Sequence, residues 1–224
     1  MPVVDVGFRI LGKSIPADHG YALYGAIARI AENGGRKVLH EPPTESWKRA
    51  AILPINGRAI GDRKLMLSPT SRLMIRLDSE LIKDILPLAG KTLDLDGSIV
   101  RVGVPTIYSL KPAARLRSRL VVIKGMMEAE PFLQSVRYAL EKLNVKGTPG
   151  LLKRQLNKAL EGKTGAEPKH SPFIRRTIRI HDKEVVGYAV EVQDLTADES
   201  LTLQEHGIGG RRKFGCGVFV PARG

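Results

Sequence analysis

Val3-Val4-Asp5-Val6-Gly7-Phe8-Arg9-Ile10, followed shortly by Pro16-Ala17-Asp18-His19-Gly20-Tyr21-Ala22-Leu23-Tyr24, sets the fold of this 224-residue chain. In the first stretch Val4, Val6 and Phe8 alternate with Asp5 and Arg9, the pattern of a strand with one face on a core. In the second, Pro16 and Asp18 supply a helix start. Leu23, Ile27, Ile30 and Ala31 then recur at 3.6-residue spacing until Asn33-Gly34-Gly35 ends the run. Further along, Ala50 to Ile55 and Leu65 to Leu67 read as a hairpin through Asn56-Gly57, and Leu73 to Leu77 as another strand. A short helix over Ser79 to Leu86 and strands at Thr92 to Leu95 and Ile99 to Val102 complete the order strand, helix, strands, helix, strand of a ferredoxin-like unit.

Leu110 to Ala114, with Pro112, reads as a linker, after which the order begins again. Strand Leu116 to Lys124, helix Pro131 to Leu143, a hairpin of Phe173 to Ile180 and Glu184 to Val192 through Asp182-Lys183, helix Ala197 to His206 and strand Val218 to Val220 follow. The fold class is therefore α+β: two tandem ferredoxin-like (RRM-like) domains, 1–110 and 115–224. The second holds an insertion, Asn144 to Ser171. Within it Leu151 to Leu160 could form a basic amphipathic helix carrying Lys153, Arg154 and Lys158, and glycine-rich runs on either side suggest mobility.

The formal net charge is +13, and it is uneven. Residues 1–110 carry 15 basic and 11 acidic side chains and residues 111–224 carry 21 and 12, so the halves are +4 and +9. That surplus favours a polyanionic partner, nucleic acid before others. A single cysteine, Cys216, excludes an internal disulfide, fits a reducing cytoplasm and reads as a small buried hydrophobe. No apolar run approaches the roughly 20 residues of a membrane span, and no secretory signal is apparent, so a soluble cytoplasmic protein is expected. The five histidines are scattered without HExxH or paired Cys/His spacing, so neither a metal nor another cofactor is expected.

Near the C-terminus stands Gly207-Ile208-Gly209, a five-residue basic arch Gly210-Arg211-Arg212-Lys213-Phe214, then Gly215-Cys216-Gly217. Glycines permit positive φ and close approach of backbone to a phosphate, while the arginines and lysine supply opposing charge. A dinucleotide fingerprint would need glycine in place of Arg212, and a Walker loop would need Lys-Ser/Thr at Cys216-Gly217, so both are excluded. Gly207 taken alone is equally well explained as the cap of the preceding helix. Arg115, Arg117 and Arg119 alternate along a strand and would emerge on one face about 7 Å apart, near the spacing of phosphates along a single strand; a charged strand edge is the competing reading. Arg175 and Arg179 repeat the pattern with Arg176 on the opposite face. Aromatic residues make up only 5% of the chain, which favours contacts to backbone and RNA shape over a base-stacking sheet.

Tandem ferredoxin-like domains, the Gly-h-Gly-x5-Gly-h-Gly loop (h hydrophobic) and a histidine near the first helix together resemble the CRISPR precursor-RNA processing endoribonucleases of the RAMP superfamily. Ser200-Leu201-Thr202-Leu203-Gln204-Glu205-His206 and the stretch Pro16 to Tyr24 are similar to the type I Myxan subtype. The resemblance implies a metal-independent cut within each CRISPR repeat by the adjacent 2′-hydroxyl, leaving 2′,3′-cyclic phosphate and 5′-hydroxyl ends. Its partners would be precursor and mature crRNA and a type I effector complex. The loop is shared with non-cleaving relatives, so a guide-RNA-holding subunit is the alternative. Histidine suits either proton role: His19 is the first candidate, with Tyr24 beside it, and His40 and Tyr21 are the alternatives. The lysine used by some members to stabilise the phosphate has no clear counterpart. RNA contacts are expected from Gly207, Gly209, Gly210, Arg211, Arg212, Lys213, Gly215 and Gly217, and from Arg115, Arg117, Arg119, Arg175, Arg176 and Arg179.

Overall fold

The computed structural model describes residues 2–33, 49–154, 172–180 and 183–222. They form two compact units. The first comprises Met1–Lys111 with Ile178–Lys183 and Arg211–Cys216; the second comprises Pro112–Thr177, Glu184–Gly210 and Gly217–Gly224.

In the first unit, β1 (Val3–Leu11) and β2 (Ser14–Pro16) precede α1 (Gly20–Asn33), which is followed by β3 (Ala51–Leu53), β4 (Arg58–Ala59), β5 (Lys64–Met66) and β6 (Arg72–Asp78). A composite helical run over Ser79–Leu88 holds the four-residue α2 (Ile82–Ile85) and leads into β7 (Thr92–Leu95) and β8 (Ser98–Ser109). The main sheet is ordered β3-β6-β1-β8-β7 with every pairing antiparallel. Its first four strands give the ferredoxin-like arrangement, and β7 extends one edge. The alternation read in β1 is realised: Val4, Val6, Phe8 and Ile10 join Leu23 and Ile27 of α1 in one core cluster. Truncating one such side chain to alanine typically costs about 2–5 kcal/mol.

Three local expectations are corrected. The hairpin through Asn56-Gly57 does not form: β3 pairs with β6, while β5 pairs with β2 and β4 in a separate three-stranded sheet. Asn56 instead braces β6, accepting through Oδ1 from the Arg72 N–H at 2.8 Å. The second helix is broken into 3-10 and α pieces, since Pro87 has no N–H with which to continue it. Strand β8 runs well past Val102, because Gly103 and Pro105 interrupt the apolar pattern without ending the pairing to β1.

In the second unit, β9 (Leu116–Val121) is followed by α3 (Ala129–Lys142), β10 (Thr148–Leu151), β11 (Arg175–Ile180), β12 (Lys183–Gln193), α4 (Ala197–His206) and β13 (Val220–Pro221), except that Ile178–Ile180 of β11 and Lys183 of β12 group with the first unit. The sheet order is β10-β12-β9-β13, with β11 also on β12, so β13, β9, β12 and β11 repeat the ferredoxin-like order. Phe132, Val136 and Leu140 of α3 and Leu203 of α4 pack with Leu116, Val190 and Val192. Helix α4 begins at a reciprocal capping box of Thr196 and Glu199. The basic helix expected over Leu151 to Leu160 lies from 155 onward outside the described residues, as does the rest of the insertion to 171. Its first glycine run is no free hinge: Thr148–Leu151 is a strand on β12. A Cβ on Gly147 would come within 2.6 Å of Leu195 and 2.8 Å of the Gln193 carbonyl.

Candidate functional site

Helix α1 opens in the first unit with groups already spoken for. The Asp18 carboxylate accepts from the Arg179 backbone N–H at 2.9 Å, and the His19 carbonyl takes the first helical bond, from Leu23 N–H at 2.8 Å. The His19 ring is 1% exposed, with Nδ1 2.8 Å from the Pro16 carbonyl and Nε2 2.9 Å from the Ile55 N–H. A backbone amide can only donate, so Nε2 is the acceptor and the proton resides on Nδ1. At the catalytic candidate His19 both ring nitrogens are therefore engaged, and the imidazole ties the start of α1 to the segment after β3. His40, the alternative, lies outside the described residues.

Loop residues 211–216 belong to this same unit. Arg212–Phe214 form a 3-10 turn bracketed by left-handed Arg211 and Gly215. The Phe214 ring meets Tyr24 edge-on at 5.0 Å between centroids and lies 6.0 Å from Tyr21, tilted by 31°. The backbone is just as close, since a Cβ on Gly20 would reach within 2.9 Å of the Phe214 carbonyl. Gly215 presses on Pro54, where a Cβ would sit 2.6 Å from the ring. The basic arch is thus laid against the first turn of α1, beside both tyrosines that the sequence singles out. Tyr24 itself is 8% exposed and packs as an aromatic wall.

Beneath the arch is a charged cluster that the sequence reading passed over. Arg76 of β6, 1% exposed, is held by Asp5 of β1 through Nε at 2.7 Å and Nη2 at 2.9 Å. Arg49 reaches Asp78 at 2.7 Å, while the second oxygen of Asp78 has no hydrogen-bond partner. Arg212 donates from Nε to the Arg49 carbonyl at 3.2 Å. Burial, and after it the charge of Arg76, brings its pKa down to about 10. Burial also lowers Lys213. Cations held in poorly solvated positions gain from an incoming anion, which is the electrostatic condition for a phosphate site. The sequence signal was available: Asp5 and Arg76 interrupt two apolar strands and stand opposite each other in register.

The second unit holds 207–210 and Gly217, whose roles are mainly architectural. Gly207 caps α4 with φ 63°, its N–H bonded to the Leu203 carbonyl at 2.9 Å. Gly209, at φ 79°, lies against the Val122 carbonyl, and Gly217, at φ 66°, against that of Ile208, where no Cβ fits. Ile208 and Gly217 are bonded N–H to carbonyl at 3.1 Å, and Gly217 N–H donates to Leu120 at 2.7 Å. Gly207, Gly215 and Gly217 are buried, so their partner is the protein itself. Gly210 is exposed, with open space where a side chain would stand, and Arg211 beside it is also exposed.

Arg115, Arg117 and Arg119 do emerge on one side of β9, but β9 is a central strand, which replaces the charged-edge reading with a charged sheet face. They are not equivalent. Arg115 is paired to Glu191 at 3.1 and 3.2 Å, whereas Arg117 and Arg119 form no ion pair among the described residues. On β11, Arg175, Arg176 and Arg179 are all exposed, and Arg175 stands over the Tyr188 ring at 5.8 Å. Arg176 is the residue that feels Arg119, its pKa lowered by desolvation and then by that charge.

Among the described residues no group of three His, Cys, Asp or Glu side chains is placed to hold a metal ion, and no helix is long and apolar enough to cross a membrane.

A family model described as Cas6 Crispr matches residues 4–224. The CRISPR-associated endonuclease Cas6 of Myxococcus xanthus (strain DK1622) is 31% identical over 221 residues, covering 99% of this chain and 82% of that protein. Among solved structures, one described as a Cas6-related gene from Pyrococcus furiosus superposes with a TM-score of 0.66 at 15% identity over 97% of both chains. Another, a CRISPR-associated protein Cas6, gives 0.64 at 12% identity, covering 99% of this chain and all of the other. A RAMP protein binding different RNA substrates gives 0.63 at 13% identity, covering 98% of this chain and all of the other.

Proposed function

The chain belongs to the Cas6 family, and from that premise we propose that it is an endoribonuclease that cuts CRISPR repeat RNA without a metal. The single observation that carries the reading is the match of 221 residues to the Myxococcus xanthus endonuclease. Two features of the molecule support it: a basic arch of desolvated cations laid against the first turn of α1, and an arginine-bearing sheet face in the second unit.

In the reaction, the 2′-hydroxyl of one nucleotide loses its proton to a base and its oxygen attacks the adjacent phosphorus. The bond from phosphorus to the 5′-oxygen breaks, and an acid protonates that oxygen. The ends are a 2′,3′-cyclic phosphate and a 5′-hydroxyl. Because the substrate supplies the nucleophile, no activated water is required. Arg212 and Lys213 are suited to the charge on the phosphate, while Arg117, Arg119 and Arg176 track the repeat backbone. The saturated hydrogen bonding of His19 favours His40 as the proton-transfer imidazole and gives His19 the part of a positioning residue.

That same saturation supports a second reading, a guide-RNA-holding subunit that does not cut. Incubating the purified chain with its cognate repeat RNA in excess EDTA separates the two. Cleavage with a cyclic phosphate end is expected, and uncut RNA would replace the nuclease with the binding subunit.

A further inference from the structure

The first unit holds a cavity of about 300 Å³ that the cleavage chemistry leaves unused. Its lining includes Tyr21, Tyr24 and Gly25 on α1, Phe214 of the arch, Arg29, and Asp96 at the turn between β7 and β8. All of these residues belong to one compact unit. The volume is at the lower end of small-ligand pockets, the size class of a single nucleobase with its sugar.

Three features give the cavity a chemistry. One wall is aromatic, made by the Tyr21, Tyr24 and Phe214 rings described above. Gly25 lies between Tyr21 and Arg29 at four-residue spacing on one helix face, so the stripe carries no side chain at its middle and a slot is left. The polar groups differ in kind: Arg29 can only donate and the Asp96 carboxylate can only accept. Asp96 is held in place by its turn. It has φ 51° and Gly97 φ 82°, the two-residue hairpin geometry, and the Asp94 carboxylate accepts from Gly97 N–H at 2.7 Å.

We propose that this cavity binds one unpaired guanine of the RNA, and so contributes sequence preference beside the basic arch. A base laid on the aromatic wall gains stacking whatever its identity. Discrimination comes from the polar pair. Guanine alone among the four bases presents two adjacent donors, N1–H and the N2 amino group, which one carboxylate accepts together, while its O6 takes a donor from Arg29. Adenine, cytosine and uracil offer that carboxylate a single donor. The proposal rests on the reading of the chain as an RNA-binding member of its family, but it does not require that the RNA be cut.

The test uses octauridine and three versions of it carrying one central guanosine, inosine or adenosine, with affinity read by fluorescence anisotropy. Inosine lacks only the N2 amino group. The guanosine probe should bind the unaltered protein about 5- to 100-fold more tightly than the adenosine probe, with inosine between them. Asp96→Asn, which retains a residue tolerant of the turn, and Gly25→Leu, which fills the slot on an accessible helix face, should abolish that preference. Octauridine binding should be unchanged in Asp96→Asn and weaker in Gly25→Leu, which removes the stacking that any base gains, and the melting temperature should be unchanged in both. Equal affinity for all probes, or a guanine preference that survives both substitutions, overturns the proposal. Repeat cleavage by the same preparations reads the nuclease separately: uncut repeat with an intact guanine preference removes the nuclease and leaves the pocket, and cleavage without the preference does the reverse.

Discussion

His19 Nε2 accepts a hydrogen bond from the backbone N–H of Ile55 at 2.9 Å, while Nδ1 holds the Pro16 carbonyl at 2.8 Å. One neutral imidazole thereby closes two backbone groups that would otherwise be left unsatisfied, and each such loss typically costs about 1–3 kcal/mol.

His19→Ala should accordingly lower the melting temperature, and any loss of repeat cleavage should follow that loss of stability. His40→Ala should reduce the cleavage rate about 10²- to 10⁴-fold, the usual worth of one proton-transfer group. Thermal melts and single-turnover cleavage on both variants check this. Full-rate cutting by His40→Ala, with loss in a His19→Gln variant that still folds, would return the catalytic role to position 19.

Arg212 is charged where burial and Arg76 disfavour charge, and its pKa falls to about 10. A cation with its folded pKa below its unfolded value detracts from stability at neutral pH, because the unfolded chain holds its proton more firmly. Arg212→Met should therefore stabilise the RNA-free protein by about 1 kcal/mol, a rise of roughly 2–4 °C for a chain of this size. The same change should weaken RNA binding. A melt and an anisotropy titration suffice, and a variant that is both less stable and equally tight would refute the trade-off.

Lys213 gives the pH signature. Its lowered pKa opens a window between the folded value and the ordinary lysine range in which the folded protein has lost a proton that the unfolded chain retains. As pH rises through that window, stability should increase while RNA affinity falls. Lys213→Arg should hold its affinity to higher pH. Parallel curves for the two proteins would remove Lys213 from the anion site.

On the second unit, Arg117→Ala and Arg119→Ala should each reduce the slope of log affinity against log salt by about one unit or less. Arg115→Ala should change it less, because Glu191 already neutralises that guanidinium. Equal effects at all three positions would count against the distinction drawn from the ion pair.

Gly217→Ala should cost more than ~2 kcal/mol, since positive φ is joined by collision with the Ile208 carbonyl. Gly210→Ala, facing open space, should stay within about 0.5 kcal/mol. Denaturant titration distinguishes them, and similar losses at both would indicate that the loop is not packed as described.

The alternation of Val4, Val6 and Phe8, the periodicity of Leu23 and Ile27, and the capping signal at Thr196 were legible because period and cap chemistry are local properties of the chain. The same locality explains the misplaced hairpin. Leu65 lies in a three-residue strand whose partner is chosen by β2 and β4, and nothing within the strand reveals that choice. The candidate site was half legible for a related reason. The basic arch and the Tyr21–Tyr24 turn are contiguous runs, but their juxtaposition is a contact between positions almost 200 residues apart.

The sequence by itself determined the ferredoxin-like repeat, the cationic character and the family, since each is written in spacing, composition or a contiguous motif. Tertiary structure alone decided which groups are chemically open. It bonded both nitrogens of His19, turned most of the loop glycines against the protein's own carbonyls and prolyl ring, and paired Arg115 while leaving Arg117 and Arg119 on a sheet face. It also gathered Tyr21, Phe214, Arg29 and Asp96 around one cavity. The physical reason is that hydrogen-bond saturation and desolvation depend on neighbours brought together from distant parts of the chain, and a residue's type specifies what it can bond but not what it meets.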